Sequence, residues 1–220
     1  MSYGLQAKNQ NNDVVIDSDF RNFVFKQKQV LSFSPVSERS GMTIINIARQ
    51  TVTYYGGISP IIAIKTNGEV GITQLDISGS TYTWTFSANT ATGCTVYIFD
   101  VPTTVSGTTG IQVFDGSSQC VFNSENKYMK VIDTFPITWG NSSWPTVTRT
   151  YTSGDYAVAI GCPRTVRIIG GSADTDAITA SATTVTVKYG IAEHTAFVRT
   201  LGTFNGDNVV TGLTINVAGL

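Results

Sequence analysis

A stretch near the start of the chain returns 106 residues later without a gap. Gly4-Leu5-Gln6-Ala7-Lys8-Asn9 and, after a polar turn, Val14 to Arg21 reappear as Gly110-Ile111-Gln112-Val113-Phe114-Asp115 and Cys120 to Lys127. Four positions are identical: Gly4/Gly110, Gln6/Gln112, Val15/Val121 and Ser18/Ser124. Others are exchanges of like for like, among them Leu5/Ile111, Asn9/Asp115, Asp17/Asn123, Asp19/Glu125 and Arg21/Lys127. Self-similarity at a fixed offset constrains the architecture strongly, because each copy is expected to fold as the same unit. Each copy reads as a β-hairpin, a short strand and a returning strand around a turn of Asn, Gly, Ser and Gln. In the second copy Asp115-Gly116 is the dipeptide expected to take positive φ, with Gly116 to Gln119 as the loop; in the first, Gln10 to Asp13 fills that place. Tandem duplication then predicts two antiparallel β-sandwich-like modules, residues 1–105 and 106–220, joined across Pro102 to Thr109. A single fused sandwich carrying two equivalent hairpins is the competing arrangement.

The residues between the hairpins support an all-β chain. Thr occurs 32 times and Gly 21 times while only 13% of residues are charged, so the chain is poor in helix formers and rich in residues that suit a pleated surface. Thr81-Tyr82-Thr83-Trp84-Thr85-Phe86 alternates strictly, which predicts a strand with Tyr82, Trp84 and Phe86 turned to a core. Further strands are expected at Lys28 to Phe33, Met42 to Ile47, Gln50 to Tyr55, Ile61 to Thr66, Glu69 to Leu75 and Cys94 to Val101. In the second half they are expected at Tyr128 to Phe135, Thr146 to Tyr151, Tyr156 to Ile160, Thr165 to Ile169, Thr183 to Tyr189, Thr195 to Leu201 and Val209 to Val217.

Chemistry is harder to find. Fourteen basic residues against fifteen acidic ones give a net charge of -1, which provides no field for nucleic acid. No apolar run approaches the ~20 residues of a membrane-spanning helix, and the first residues lack the pattern of a secretory signal, so synthesis in a cytosol is expected. Cys94, Cys120 and Cys162 fit neither a zinc spacing nor a disulfide framework and read as small buried or half-buried thiols. His194, the only histidine, stands beside Glu193 in Ala192-Glu193-His194-Thr195 without the partners a triad or metal centre needs. Asp17 and Asp19 read as hairpin-closing residues, and Asp174 and Asp176 as members of a Gly170 to Asp176 loop that lacks further charge for a cation. No phosphate-binding glycine motif occurs. The expectation is therefore no catalytic residue, no metal and no cofactor. Trp139 and Trp144 flank a polar turn, and such a pair suits either the apolar face of a sugar ring or a subunit interface. Trp139, Trp144, Asp174 and Asp176 are the candidate ligand or interface residues. Gly4, Gln6, Asn9, Ser18, Gly110, Gln112, Asp115, Gly116 and Ser124 define the repeated hairpin.

The opening Ser2-Tyr3-Gly4-Leu5-Gln6-Ala7-Lys8-Asn9, its polar turn and Val14-Val15-Ile16-Asp17-Ser18 resemble the start of a group of small phage and prophage virion proteins of the tail tip, baseplate or fibre. The likeness covers about the first 22 residues and recurs at Gly110 to Lys127, and its first turn lacks the usual glycine. It implies a place in the virion tail and no reaction. The expected partners are other virion and tail proteins, a homo-oligomer (a trimer by preference) and a host surface receptor, with no nucleic acid and no membrane insertion. The alternative function is recognition of a bacterial surface glycan or pilus through the aromatic loop. An enzyme, such as a glycan depolymerase, is the least supported class.

Overall fold

Among the described residues of the computed structural model there are seventeen strands and no helix. Those residues are 6–8, 10, 14–17, 22–40, 43–102, 110–138, 146–161, 165–167, 172–194 and 209–220. The first half runs β1 (Gln6–Lys8), β2 (Val14–Asp17), β3 (Val24–Phe33), β4 (Val36–Ser40), β5 (Thr43–Tyr54), β6 (Ile61–Ser78), β7 (Thr81–Ala88) and β8 (Thr92–Asp100). The second runs β9 (Gln112–Phe114), β10 (Cys120–Asn123), β11 (Lys130–Thr138), β12 (Val147–Thr150), β13 (Tyr156–Ile160), β14 (Thr165–Arg167), β15 (Ser172–Ala180), β16 (Thr184–His194) and β17 (Val209–Asn216).

All the pairings are antiparallel. One face of the fold reads β3-β8-β6-β13-β17-β11, and the other reads β4-β5-β7-β6-β15-β16-β12 with β14 beside β15. β6 belongs to both. Its first part, Ile61 to Thr66, pairs with β8, and its second, Gly71 to Ser78, pairs with β7. Glu69 to Leu75 is therefore not a separate strand from Ile61 to Thr66: extended backbone continues through the polar Lys65-Thr66-Asn67-Gly68-Glu69 segment at the bend. Gly68 sits at that bend, where Thr66 Oγ1 accepts its N–H at 3.2 Å and an added Cβ would collide with the Thr92 side chain. Met42 to Ile47 and Gln50 to Tyr55 are likewise one strand, β5, bound to β4 at one end and to β7 at the other.

The expected division at 105/106 is not a division of this fold. Ile64 in β6 pairs with Val158 in β13, and Val70 in β6 pairs with Ile178 in β15, so hydrogen bonds of one sheet cross between the halves. A single core lies between the faces and draws on Phe33, Val52, Phe86 and Ile98 from the first half and on Phe135, Val158, Ile178 and Val187 from the second. Separate modules would need two such cores; the strands of each half instead bury their apolar side against the other half, which is the fused arrangement. Phe86 and Trp84 are buried there as the alternation predicts, and Tyr82 packs half-buried against them. A second apolar cluster, with Tyr97, Phe99, Ala159 and Ile215, covers the opposite side of the β8, β6, β13 and β17 strands.

The 106-residue offset reappears in the register. In β1–β2 the pairs are Gln6↔Asp17, Ala7↔Ile16 and Lys8↔Val14; in β9–β10 they are Gln112↔Asn123, Val113↔Phe122 and Phe114↔Cys120. Val15 and Val121, identical in sequence, are the extra bulge residues of the two hairpins. β3–β8 and β11–β17 repeat the correspondence. Val24↔Asp100 and Phe25↔Phe99 precede a bulge at Lys26, and Lys130↔Asn216 and Val131↔Ile215 precede a bulge at Ile132. On β8 and β17 the offset becomes 116, since ten more residues separate these strands in the second half. β6 and β13 extend the match, Ala63 pairing with Tyr97 and Ala159 with Leu213.

Where the halves meet, matching residues face each other. The pair Val158↔Ile64 sets Ala63 opposite Ala159, its register equivalent. Met129 N donates to Phe23 O at 2.9 Å, so residue 23 also lies beside residue 129. That is the pattern of an antiparallel contact about a local two-fold axis.

Because the seam is part of the common core, Ile64→Ala is expected to cost about 2 to 5 kcal/mol. Urea unfolding followed by tryptophan fluorescence and by far-UV circular dichroism should give one coincident transition, whereas two resolved transitions would mean the halves unfold separately. Burial pushes the Cys94 thiol up to about 12, so almost no thiolate exists at pH 8. Peptide mapping after alkylation of the native chain at that pH should find Cys94 unmodified, and modified only when denaturant is added.

Candidate interaction site

The second hairpin is a two-stranded sheet of its own, paired with no other strand of either face, with Val113, Cys120, Val121 and Asn123 buried. Its tip is built by Asp115. The Asp115 carboxylate accepts the N–H groups of Ser117 and Gln119, each at 2.9 Å, while its own N–H donates to Gln119 O at 2.9 Å and its carbonyl accepts Ser118 N at 3.0 Å. This is the local side-chain-to-backbone bonding that favours Asp in turns. The positive φ falls on Ser118 (60°) and not on Gly116, contrary to the expectation for Asp115-Gly116, because the carboxylate sets where the chain reverses.

Its open end is closed by Gly110 and Ser124. Ile111 N donates to Ser124 Oγ at 2.9 Å, and Ser124 N donates to Ile111 O at 2.9 Å. Gly110 has φ 101°, and a Cβ there would collide with the Ser124 hydroxyl. Two of the four identical repeat positions thus have a physical role in closing the hairpin, and a third, Val121, is the buried bulge.

Tyr128 anchors the unit to the sandwich. Its ring stacks on Phe122 with centroids 5.0 Å apart and planes 12° apart; its hydroxyl accepts Asn123 N at 2.5 Å and donates to Asn123 O at 2.9 Å. Tyr128 also bridges to Val24, and Phe25 N donates to Lys127 O at 2.7 Å. Asn123 is buried, with its side-chain oxygen accepting Glu125 N at 3.0 Å. Apolar residues remain on the outside: Ile111 is 62% exposed and Phe114 45%, and on the strand that follows Val131 is 42% and Ile132 43% exposed. Sequence reasoning marked the hairpin from its turn residues and missed these four; only Phe114 and Ile132, which stand where the first copy has Lys8 and Lys26, carried a signal in the sequence.

The other candidates are not brought together. Asp174 and Asp176 lie in β15 and not in a loop, since Ser172 to Ala180 pairs with β16 along its length, with one register shift between Thr175 and Asp176. Asp176 is 1% exposed in a strand flanked by β6 and β16, which removes it from any surface ligand site; the Asp174 side chain lies outside the described residues. Trp139, Trp144, Gly4, Asn9, Ser18, Asp19 and Cys162 also lie outside them, as do the side chains of Gln6 and His194. Cys94 and Cys120 are free and buried, in agreement with the reading of small buried thiols. Among the described residues no group of three metal-ligating side chains occurs, and no helix is long and apolar enough to cross a membrane. In comparisons with known proteins, no family model, no curated protein and no solved structure matches the chain.

If Asp115 alone organises the tip, Asp115→Ala should speed amide exchange at Ser117 and Gln119 by about tenfold or more. Global stability should fall by no more than about 1 kcal/mol, since the tip is solvated. Unchanged exchange at both amides would show that the strand pairing sets the turn.

Proposed function

We propose that this chain is a structural component of a phage virion, placed in the tail and acting by assembly with other virion proteins. The observation that carries the reading is the second hairpin: a two-stranded sheet paired with no other strand, its ends tied by Gly110–Ser124 and Tyr128, with Val121 and Asn123 buried and Ile111 and Phe114 turned to the outside. A two-stranded hairpin is marginal in water alone, and apolar side chains left exposed on it suit burial against a neighbouring subunit. The resemblance of the repeated hairpin to tail-associated virion proteins supports the same reading. A homotrimer is the assembly preferred here, and closed symmetry covers protruding apolar surface without leaving an open end.

Mass spectrometry of purified particles tests it directly. The chain should appear at low stoichiometry relative to the major capsid protein, and absence from clean particles would overturn the reading. Ile111→Asp and Phe114→Asp, which leave the core untouched, should give a folded chain that is lost from particles.

A further inference from the structure

We propose that Asn67 is a site of spontaneous covalent modification, at which the side-chain amide cyclises onto the backbone nitrogen of Gly68 and hydrolyses to aspartate and isoaspartate, weakening β6. The two residues form an Asn-Gly pair at the bend of that strand. There the ladder with β15 is stretched. Thr66 pairs with Ala180 and Val70 with Ile178, so Asn67, Gly68 and Glu69 stand between pairs that Thr179 alone separates on β15. Among the described residues these three of β6 have no partner in its registers with β7, β8, β13 and β15. Such a bulge bows the main chain out of the ladder, so the chain can turn there with little loss of pairing. The Asn67 side chain is exposed to water.

Cyclisation needs an unhindered nitrogen next to the Asn67 amide carbon, and Gly68 has no Cβ to crowd the approach. Packing also keeps glycine in place. An added Cβ would collide with Thr92 Oγ1, so the fold retains the residue that makes Asn67 reactive. Turning the peptide unit gives up the bond from Gly68 N to Thr66 Oγ1, which at 3.2 Å lies at the long end of the usual range. Gly68 N then loses its proton and bonds to Asn67 Cγ, while the Cγ–Nδ2 bond breaks and the amide nitrogen leaves with that proton as ammonia. Water opens the cyclic imide. Opening at Cγ gives aspartate; opening at the α-carbonyl gives isoaspartate, whose main chain runs through Cβ and Cγ and is longer by a methylene group. Other asparagines lack these conditions. Asn46, Asn89 and Asn216 precede the β-branched Ile47, Thr90 and Val217, which crowd the attacking nitrogen. Their side chains are also engaged: Ser37 Oγ donates to Asn46 Oδ1 at 2.6 Å, Asn89 Nδ2 donates to Asn46 O at 2.6 Å, and Asn216 Oδ1 accepts Ala218 N at 3.0 Å. Asp115-Gly116 is restrained in its own way, because its carboxylate holds the N–H groups of Ser117 and Gln119. Lengthening the main chain at residue 67 strikes the bend through which β6 passes from its pairing with β8 to its pairing with β7.

The test incubates the full folded chain in mildly alkaline buffer and follows it by peptide mapping, with fragmentation that separates aspartate from isoaspartate. Asn205-Gly206, which lies outside the described residues, is read from a different peptide. Asn67 should convert about tenfold or more faster than Asn46, Asn89 or Asn216, with both acids appearing. Asn67→Gln should abolish modification at residue 67 and leave the far-UV circular dichroism spectrum unchanged. Aged chain separated from fresh chain by anion exchange should unfold at a lower temperature, and Asn67→Gln aged alongside should keep its unfolding temperature. Asn67 intact in the folded chain while it converts in denaturant would overturn the site, because the fold would then protect the pair. Equal conversion at Asn46, Asn89 and Asn216 would overturn it as well. An equal loss of unfolding temperature in aged Asn67→Gln, or no loss in either chain, would overturn the weakening of β6. Presence or absence of the chain in virions bears on none of these results.

Discussion

The fold hangs on β6. Its first part joins β8 to β13 and its second joins β7 to β15, so this one strand holds hydrogen bonds in both faces of the sandwich and across both halves of the chain. Bending a strand through two sheets needs a residue that tolerates close approach at the corner, which Gly68 provides against Thr92. The junction with β13 has its own requirement. Ala63 and Ala159 oppose each other at the local two-fold, and their small side chains let Tyr97, Phe99 and Ile215 close over them. Larger residues there would push the second cluster off the sheet, and overpacking of that kind costs as much as a cavity.

Matching registers do not mean matching chemistry. Asp100 and Asn216 are equivalent positions at the ends of β8 and β17. Fully buried Asp100 accepts the N–H groups of Ile58, Ser59 and Val101 at 2.9, 3.0 and 2.8 Å and so clamps the loop that leads into β6. Its carboxylate also lies by Tyr54, whose hydroxyl is pushed above its ordinary range, first by burial and then by that charge. Among the described residues, Asn216 Oδ1 accepts one N–H, from Ala218 at 3.0 Å, and a neutral amide suffices for one donor. Where three donors converge, a charge is kept, since charge-assisted bonds offset the cost of burying it.

Strand class was legible because burial of one face imposes period two, and Thr81 to Phe86 carries it cleanly. The hairpins were legible because Gly, Asp and Ser have local backbone roles that do not depend on distant partners. What could not be read was the crossing of β6 into the other half: Val70 and Ile178 look like any core residues, and nothing local names their partner. Asp176 was misplaced for a related reason. Asp-Thr-Asp after two glycines carries loop propensity, and the pairing of β15 with both β6 and β16 overrides it.

Two like halves present every surface twice, and a chain of that kind would meet its neighbours equally through either half. Divergence removes the ambiguity. Lys8 corresponds to Phe114 and Lys26, at the bulge, to Ile132, so the second copy is apolar where the first is basic. Burial lowers the Lys26 ammonium from its ordinary range, against the pull of the Asp100 carboxylate, so even this charge is partly withdrawn from water. Ile132 at the equivalent bulge stays exposed. A positive edge strand resists pairing with a further strand, whereas an apolar one invites cover. Asymmetry at these positions is laid on a frame with a nearly symmetric register, so the two copies keep one backbone plan while their surfaces differ at the hairpin and at the bulge.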